Sequence, residues 1–261
     1  MTFKFKKIED AKSNYEHSLN RKNLLTAVAM VGANNATKSS LANVLSGHKE
    51  DFFAVGEGPV THVVASCEFE GRLYIDTPGT GFSNGDDVLA KGAYDEVDVF
   101  VMAHRIDGGE LDAHEMQWLS DFLSVYKGEL IIAITASDSK DEEDQLKIKA
   151  KIQGQLASIN MADTPIVLVS CNRYNAGIEF SSAEFIQLSG IEKLQYEISK
   201  ACECVDQSRS RKLNKAKDYL MSAIEHYAAI LEHQRVCIVQ ERNKQSKDIS
   251  RAVDLIAQTY S

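Results

Sequence analysis

The stretch that decides the fold runs Gly32-Ala33-Asn34-Asn35-Ala36-Thr37-Lys38-Ser39-Ser40. The apolar residues 24–31 come before it and predict a buried strand, and residues 39–45 have the character of a helix start. Backbone N–H groups at a helix start are unpaired, and the helix dipole adds partial positive charge there. A strand, a glycine-opened loop and a Lys-Ser pair entering a helix together predict a phosphate-binding loop, called here the phosphate loop (residues 32–40).

In this layout the Lys38 ammonium reaches the outer phosphates of a nucleotide, and the Ser39 hydroxyl is a ligand for Mg²⁺. Thr37 stands where the usual pattern has its last glycine, and a β-branched residue crowds the phosphates unless its backbone is near helical dihedrals. Asn35 tolerates a positive φ. The alternative is a plain strand–turn–helix with a chance Lys-Ser pair. The residues predicted to contact phosphate are Gly32, Asn34, Asn35, Ala36, Thr37, Lys38, Ser39 and Ser40.

Length and composition indicate a globular protein with one large domain and an appendage. The chain has 261 residues, of which 44% are hydrophobic and 26% charged. We expect a cytoplasmic protein, because no apolar run approaches the ~20 residues of a membrane span, residues 1–7 lack a signal-peptide core, and the cysteine count is odd. Residues 205–261 hold ten Lys or Arg and seven Asp or Glu, a net charge of +3, so the rest of the chain carries −12. The acidic body argues against nucleic acid binding over its whole surface.

Apolar runs alternate with helical patterns along the middle of the chain. This alternation predicts an α/β fold with a mostly parallel sheet covered by helices on both faces. The predicted parts are an N-terminal helix (1–22), an α/β domain (23–204) and a C-terminal helical extension (205–261). Strands are predicted at 24–31, 63–68, 72–76, 97–103, 130–135 and 165–170, and helices at 7–20, 39–45, 111–126 and 141–159, with a closing helix from 191.

The C-terminal extension repeats apolar residues at heptad-like spacing from Leu213 to Ile230. Residues 242–248 are all polar, and we interpret them as a turn or an exposed face between a long helix and a shorter one. The extension either packs on its own domain and the N-terminal helix, or binds a partner. An unknown protein or ribonucleoprotein effector is the predicted kind of partner.

A second motif, Asp76-Thr77-Pro78-Gly79, ends a predicted strand 38 residues after Lys38. An aspartate at the carboxyl edge of a sheet can hold Mg²⁺, and the Gly79 N–H can sense a γ-phosphate. Thr61 lies in the loop between the two motifs, where its hydroxyl completes the metal shell in our interpretation. The alternative for Thr61 is an ordinary loop residue. The predicted metal ligands are therefore Ser39, Thr61 and Asp76.

Two later strand ends carry groups suited to a purine base. Thr135 and Asp138, which begin and end one such segment, are predicted to bind the base. The Asp138 carboxylate can accept hydrogen bonds from the N1–H and amine of guanine, a pair of donors that adenine lacks. Ser170, Cys171 and Asn172 can present backbone N–H groups to the guanine O6. Both segments are weak signals alone, and their order along the chain strengthens them.

In order and spacing these motifs resemble the translation-factor-related P-loop GTPases, closest to the Era/TrmE branch and with some dynamin-like features. That branch carries G-x-P-N-x-G-K-S-S-L-x-N-x-L-x-G and Asp-Thr-Pro-Gly, while the segment around Thr61 is more dynamin-like. The resemblance covers about residues 24–200 and implies a six-stranded sheet with one antiparallel strand. Thr37 departs from the branch's loop glycine, and Thr135-Ala136 departs from its Asn-Lys. The matching loop and helix residues are Gly32, Asn35, Lys38, Ser39, Ser40, Leu41, Asn43, Leu45 and Gly47.

The resemblance implies a GTP-binding protein that needs Mg²⁺, hydrolyses GTP slowly to GDP and switches shape. Lys38, Thr61 and Asn35 are the predicted catalytic residues. Asn35 is either a ligand for K⁺, as in relatives that share it, or present only for its positive φ, while Thr80 replaces the water-orienting glutamine of other enzymes. The alternatives are a nucleotide-binding scaffold without useful turnover and a small dynamin-like protein that self-assembles. A nucleotide-dependent dimer is compatible with the resemblance.

Overall fold

A computed structural model of the chain describes residues 2–48, 52–53, 65–77, 97–125 and 128–259, and their side chains except at 2–5, 123–125 and 255–259. Six strands form one sheet in this part of the chain. Their bounds are β1 (Thr26–Val31), β2 (Ala65–Phe69), β3 (Arg72–Asp76), β4 (Val99–Arg105), β5 (Glu129–Thr135) and β6 (Ile166–Leu168).

The sheet has the order β2-β3-β1-β4-β5-β6. Strands β2 and β3 pair antiparallel, and every other neighbouring pair is parallel. The six residues of β1 are all buried, as expected for a central parallel strand covered on both faces. The predicted six-stranded, mostly parallel sheet with one antiparallel strand is therefore confirmed.

Helices precede the sheet, connect most of its strands and follow it. Their bounds are α1 (Thr2–Asn23), α2 (Lys38–Leu45), α3 (Ala113–Val125), α4 (Glu142–Ser158), α5 (Cys171–Glu179), α6 (Ala183–Leu188) and α7 (Ile191–Thr259), with short 3₁₀ turns at Ile106–Gly108 and Ser137–Ser139. The short helices α5 and α6 were not predicted, although Ser170 and Ser182 cap them with hydroxyls that accept from the N–H groups of Arg173 and Phe185. No described helix combines the length and apolar character needed to cross a membrane.

The prediction of a separate shorter helix after residues 242–248 is wrong, because α7 runs unbroken from Ile191 to Thr259. This segment contains neither glycine nor proline, and its Arg, Lys and Gln side chains favour a helix. The polar stretch is therefore an exposed face of one helix, which was the other interpretation of the same residues.

The sheet has a hydrophobic core on each face. Phe100 and Ile132 belong to one buried cluster, whereas their strand neighbours Val101 and Ile131 belong to the other. On the first face the Phe122 ring meets Phe100 edge-on, with ring centroids 4.9 Å apart, and Trp118 stacks on Phe122 at 5.2 Å. The alternation of side chains along parallel strands thus fills both cores.

The chain divides into two compact units, which are residues 25–207 and residues 1–24 with 208–261. The first holds the sheet. In the second, the Arg209 guanidinium donates a hydrogen bond to the Leu24 carbonyl at 2.9 Å, and Ala11 and Ala223 are buried. From residue 231 to residue 254 every side chain of α7 is exposed.

Gly190, which precedes α7, has a backbone that only glycine accommodates. Its φ is +72°, and a Cβ would lie 2.0 Å from the Leu168 carbonyl oxygen. Gly190→Ala should lower the free energy of unfolding by at least about 2 kcal/mol, measured by urea denaturation. Gly154, within α4, is the matched control because a Cβ there meets no atom within 4 Å. Gly154→Ala should stabilise by about 0.5–1 kcal/mol, and equal effects at the two positions would contradict the backbone geometry.

Candidate functional site

The phosphate loop leaves the carboxyl end of β1 through Gly32, where the chain passes very close to β4. A Cβ at residue 32 would lie 2.3 Å from the Ala103 carbonyl oxygen, and Gly32 has a φ of +139°. Both facts require glycine. At Gly32 the loop is therefore held against the edge of the sheet by a close backbone contact.

Lys38 is the first residue of α2 and is buried inside the loop. Its ammonium donates a hydrogen bond to the Ala33 carbonyl at 2.8 Å. Burial lowers the pKa of Lys38, and the nearby Asp76 carboxylate opposes that shift only in part. The loop thus encloses a cation that its own backbone satisfies, next to an acidic group.

Ser39 and Asp76 form a buried polar pair beside Lys38. The Ser39 hydroxyl donates to Asp76 Oδ2 at 2.6 Å, and Asp76 is fully buried. Its other oxygen, Oδ1, has no hydrogen-bond partner among the described residues. Burial raises the pKa of the Asp76 carboxyl, while the Ser39 hydrogen bond and the Lys38 charge lower it. A buried carboxylate oxygen without a partner, next to a serine hydroxyl, is a donor set that fits a hard divalent cation such as Mg²⁺.

Two non-glycine residues of the phosphate loop have a positive φ. Asn35 has a φ of 63°, the positive value that its side chain type tolerates. Thr37 has φ 61° and ψ 28°, so its backbone is left-handed and lacks the helical dihedrals that would relieve crowding at the phosphates. A left-handed conformation is unusual for a β-branched residue, and the Thr37 hydroxyl donates to the neighbouring Ala36 carbonyl at 2.7 Å. Asn34 and Asn35 are exposed and Ser40 is half-buried.

Thr135, at the end of β5, contacts the phosphate loop directly. Its buried hydroxyl lies 3.2 Å from the Ala36 carbonyl oxygen and 3.3 Å from that of His104. A hydroxyl shared between two backbone carbonyls holds the loop against β4 and β5. The structure therefore places Thr135 as a support of the loop, although the sequence assigned it to the base.

The two segments predicted to read a base lie close together. Asp138 is exposed in the 3₁₀ turn Ser137–Ser139, which follows Ala136 at a φ of 53°. Burial, and to a lesser degree the charge of Asp138, raises the pKa of the Cys171 thiol to about 12. Cys171 and Asn172 are the first two residues of α5, so their backbone N–H groups lie at a helix start.

Ser170 does not present its backbone N–H as the sequence suggested. That N–H donates to the Ser189 carbonyl at 2.8 Å, and the hydroxyl accepts from the Arg173 N–H at 3.0 Å. Ser170 is therefore the N-cap of α5 and is fully buried. Thr77 anchors the other edge of the site through its hydroxyl, which donates to the Met30 carbonyl at 2.7 Å. Thr61, Gly79 and Thr80 lie outside the described residues.

Solved structures that are similar to this chain include a bacterial dynamin, Era and the elongation factor SelB. The chain is similar to a bacterial dynamin solved as an oligomerised pair, at 16% identity and a TM-score of 0.61 over 99% of this chain and 61% of that one. It is also similar to Era of Aquifex aeolicus bound to GDP and AlF₄⁻, at 19% identity and a TM-score of 0.50 over 68% and 57% of the two chains. A third similar structure is the elongation factor SelB of Methanococcus maripaludis, at 16% identity and a TM-score of 0.49 over 68% and 33%.

The chain has the fold of a P-loop GTPase domain. At these identities the likeness establishes the fold, and the resemblance to translation-factor-related GTPases with Era-like and dynamin-like features is confirmed at that level. The chain spans about a third of the length of SelB and about three fifths of the dynamin. No protein-family model and no curated protein matches it.

The sequence did not predict a buried histidine–glutamate pair near the phosphate loop. His104 Nδ1 lies 2.8 Å from Glu115 Oε1, and His104 Nε2 lies 3.1 Å from the Gly109 carbonyl oxygen. Glu115 Oε2 also accepts from the Asp112 N–H, while Asp112 Oδ1 accepts from the Glu115 N–H. This is a capping box at the start of α3, and its Asp-x-x-Glu spacing was the available signal. The His104 carbonyl oxygen also lies 3.3 Å from the Thr135 hydroxyl, which contacts the phosphate loop. The pair therefore supports the strand end that holds the loop.

The pair makes stability depend on pH. Burial lowers the pKa of His104, but the hydrogen bond and charge of Glu115 outweigh it, so the net pKa lies above the usual 6.5. The resulting stabilisation is complete below about pH 6.5 and is lost as pH rises through the raised pKa. Glu115→Gln should therefore cost about 1.5–3 kcal/mol more at pH 6 than at pH 9, measured by urea unfolding.

His114, an exposed histidine on the same helix, provides the control. His114→Gln should keep the pH dependence of the wild-type protein. A Glu115→Gln deficit that is the same at both pH values would show that His104 is not charged by this contact.

Proposed function

We propose that the protein binds guanine nucleotide with Mg²⁺ and slowly hydrolyses GTP to GDP and phosphate, changing shape as it does. The observation that carries this proposal is the buried Ser39–Asp76 pair beside Lys38, with one carboxylate oxygen left without a partner among the described residues. Leaving such an oxygen unsatisfied costs free energy in the absence of a ligand. A buried carboxylate oxygen without a partner is therefore expected at a position where a bound ligand supplies the missing contact.

The phosphate loop binds the phosphates in this proposal. The start of α2 offers unpaired backbone N–H groups and the positive end of a helix dipole. The Lys38 ammonium exchanges the Ala33 carbonyl for a phosphate oxygen, a stronger charge-assisted hydrogen bond. Asn34, Ala36, Thr37 and Ser40 complete the loop around the phosphates.

Ser39 and Asp76 are the described residues that hold Mg²⁺ in this proposal, and Thr61 is the proposed third ligand. The bound ion supplies charge neutralisation at the phosphates. The Ser39 hydroxyl oxygen is the proposed ligand from the phosphate loop. The Asp76 carboxylate, which accepts a hydrogen bond from the Ser39 hydroxyl, is the proposed ligand from the end of β3. Gly79 is the proposed sensor of the γ-phosphate, through its backbone N–H.

Guanine is read by Asp138 and by the start of α5. The exposed Asp138 carboxylate accepts from the base N1–H and amine, and the N–H groups of Cys171 and Asn172 face the base O6. Ser170 positions these two N–H groups as the N-cap of α5. Thr135 supports the phosphate loop through its hydrogen bond to the Ala36 carbonyl. Ala136 stands where relatives have a lysine stem that covers the base, so we expect weaker binding than in those relatives.

A scaffold without useful turnover is the second candidate function, and Thr37 is the observation that favours it. Thr37 is a β-branched residue held at a φ of 61° within the loop that must admit phosphate, and such a backbone conformation is strained. Phosphate release with Mg²⁺ separates the two functions, measured in K⁺ and in Na⁺ at matched ionic strength. Faster release in K⁺ that is lost in Asn35→Ala supports hydrolysis with Asn35, whose side chain is exposed, as a K⁺ ligand. Bound GTP without release supports the scaffold.

Self-assembly is a third candidate, favoured by the match to the oligomerised bacterial dynamin over 99% of this chain. In that case GTP raises the average mass of the protein as its concentration rises. If the mass stays that of a monomer with and without GTP, the result supports a monomeric switch that acts on an unknown protein or ribonucleoprotein effector. Sedimentation with GTP, GDP and no nucleotide distinguishes these outcomes.

Lys38→Ala should reduce the affinity for GTP about a hundredfold or more, because it removes the only charge inside the described part of the loop. Isothermal calorimetry measures the affinity. Lys147→Ala is the matched control, since Lys147 is an exposed lysine of α4 paired with Glu143. If Lys38→Ala bound GTP with the affinity of the wild-type protein, the assignment of residues 32–40 as a phosphate loop would be wrong.

Asp138→Asn should shift the preference from guanine towards xanthine, because the side chain then donates where the carboxylate only accepted. Competition of GTP, ATP and XTP for the bound labelled nucleotide measures this shift. Glu142→Gln, at an exposed position four residues on, should leave the order of affinities unchanged. Equal affinity of the wild-type protein for ATP and GTP would remove the base assignment.

A further inference from the structure

The exposed part of α7 carries a histidine and a cysteine one helical turn apart. His233 Nε2 lies 3.8 Å from Cys237 Sγ, and both side chains are exposed. Residues at i and i+4 share a helix face, so the helix holds the two groups together without any loop. Neither residue takes part in the nucleotide site.

The distance between the two atoms suits a tetrahedral metal ion. With Zn–S near 2.3 Å and Zn–N near 2.0–2.1 Å, a tetrahedral angle separates sulfur and nitrogen by about 3.6 Å. The observed 3.8 Å is close to this value. A second imidazole–thiol contact among the described residues, His48 Nε2 to Cys67 Sγ at 3.1 Å, would correspond to an angle of about 90° at a metal ion and fits a direct hydrogen bond instead.

We propose that His233 and Cys237 form one half of a site for a thiophilic divalent cation such as Zn²⁺, and that a second copy of this chain supplies the other half. On binding, the Cys237 thiol releases its proton to solvent and coordinates as the thiolate, while His233 coordinates as neutral imidazole through Nε2. The complete site is two cysteines and two histidines around one ion.

A second copy follows from the coordination number. Structural zinc sites almost always have four protein ligands, and no group of three or more His, Cys, Asp or Glu side chains that could hold a metal lies within the described residues. The described side chains from 231 to 254 are all exposed, so a second helix can approach. A two-fold axis through the ion then brings the same two residues from both copies. The small Ala229 and the half-exposed Val236 flank the pair and permit a close approach.

The other cysteines of this helix provide controls that distinguish metal binding at the His233–Cys237 pair from metal binding by any exposed thiol. Cys202 is buried, whereas Cys204 is exposed but has Lys200 and Ser208 at the positions one turn away. Cys204 is therefore a matched control for a thiol without a histidine. His226 is the corresponding control for an exposed histidine, since Ile230 follows it at i+4.

The test uses the full chain without nucleotide, treated with a chelator and kept reduced with a phosphine. Zn²⁺ is titrated while sedimentation measures the mass, and Co²⁺ replaces Zn²⁺ for the thiolate-to-metal absorption. We expect one Zn²⁺ per two chains, a doubling of mass that chelator reverses, and a cobalt–thiolate band. Because nucleotide is absent, the outcome is independent of the proposed GTPase function.

Cys237→Ser and His233→Gln should each lower the affinity for Zn²⁺ at least about tenfold and abolish the metal-dependent dimer. Cys204→Ser and His226→Gln should behave as the wild-type protein does. The proposal is overturned by one Zn²⁺ per chain on a monomer, by a dimer that survives the chelator, or by unchanged binding in the first two variants. Circular dichroism checks that all four exposed substitutions retain the helix.

Discussion

The close passage of the phosphate loop over β4 is the constraint on which the site depends. Strand β1 pairs in parallel with β3 on one side and β4 on the other, with Met30 level with Asp76 and with Val101. This register brings the end of β3 to the start of α2 and lets Gly32 turn under the Ala103 carbonyl. The contacts of Lys38, Ser39 and Asp76 all follow from that pairing. A shift of β1 by one residue would separate them and turn its side chains to the other face.

Three of the six non-glycine residues with positive φ in the described part of the chain lie at the same edge of the sheet. Asn35, Thr37 and Ala136 all have positive φ, and each lies in a loop that follows a strand end. Such conformations persist where the surrounding structure fixes them, and they cluster at binding sites. Here the fixing contacts are backbone carbonyls and the Thr135 hydroxyl, which reaches the Ala36 carbonyl in the middle of the loop. These contacts fix the backbone of the described part of the site.

The sequence predicted the sheet because each strand is a short apolar run with a motif at its carboxyl end. It also predicted the pairing of Ser39 with Asp76 in one site, since parallel strands place their ends at one edge. The left-handed backbone of Thr37 could not be foreseen, because it depends on where β4 and β5 hold the loop. The same holds for Ser170, whose N–H is taken by Ser189, a residue nineteen positions later. Long-range hydrogen bonds of this kind leave no local pattern.

The stack of Trp118 on Phe122 gives this chain a built-in optical reporter. Trp118 is the single tryptophan of the sequence and lies in the unit formed by residues 25–207. Its emission therefore follows the environment of that unit alone, whereas far-ultraviolet dichroism sums the helices of both units. Recording the two signals on one sample separates the unfolding of the sheet-containing unit from that of the helical one.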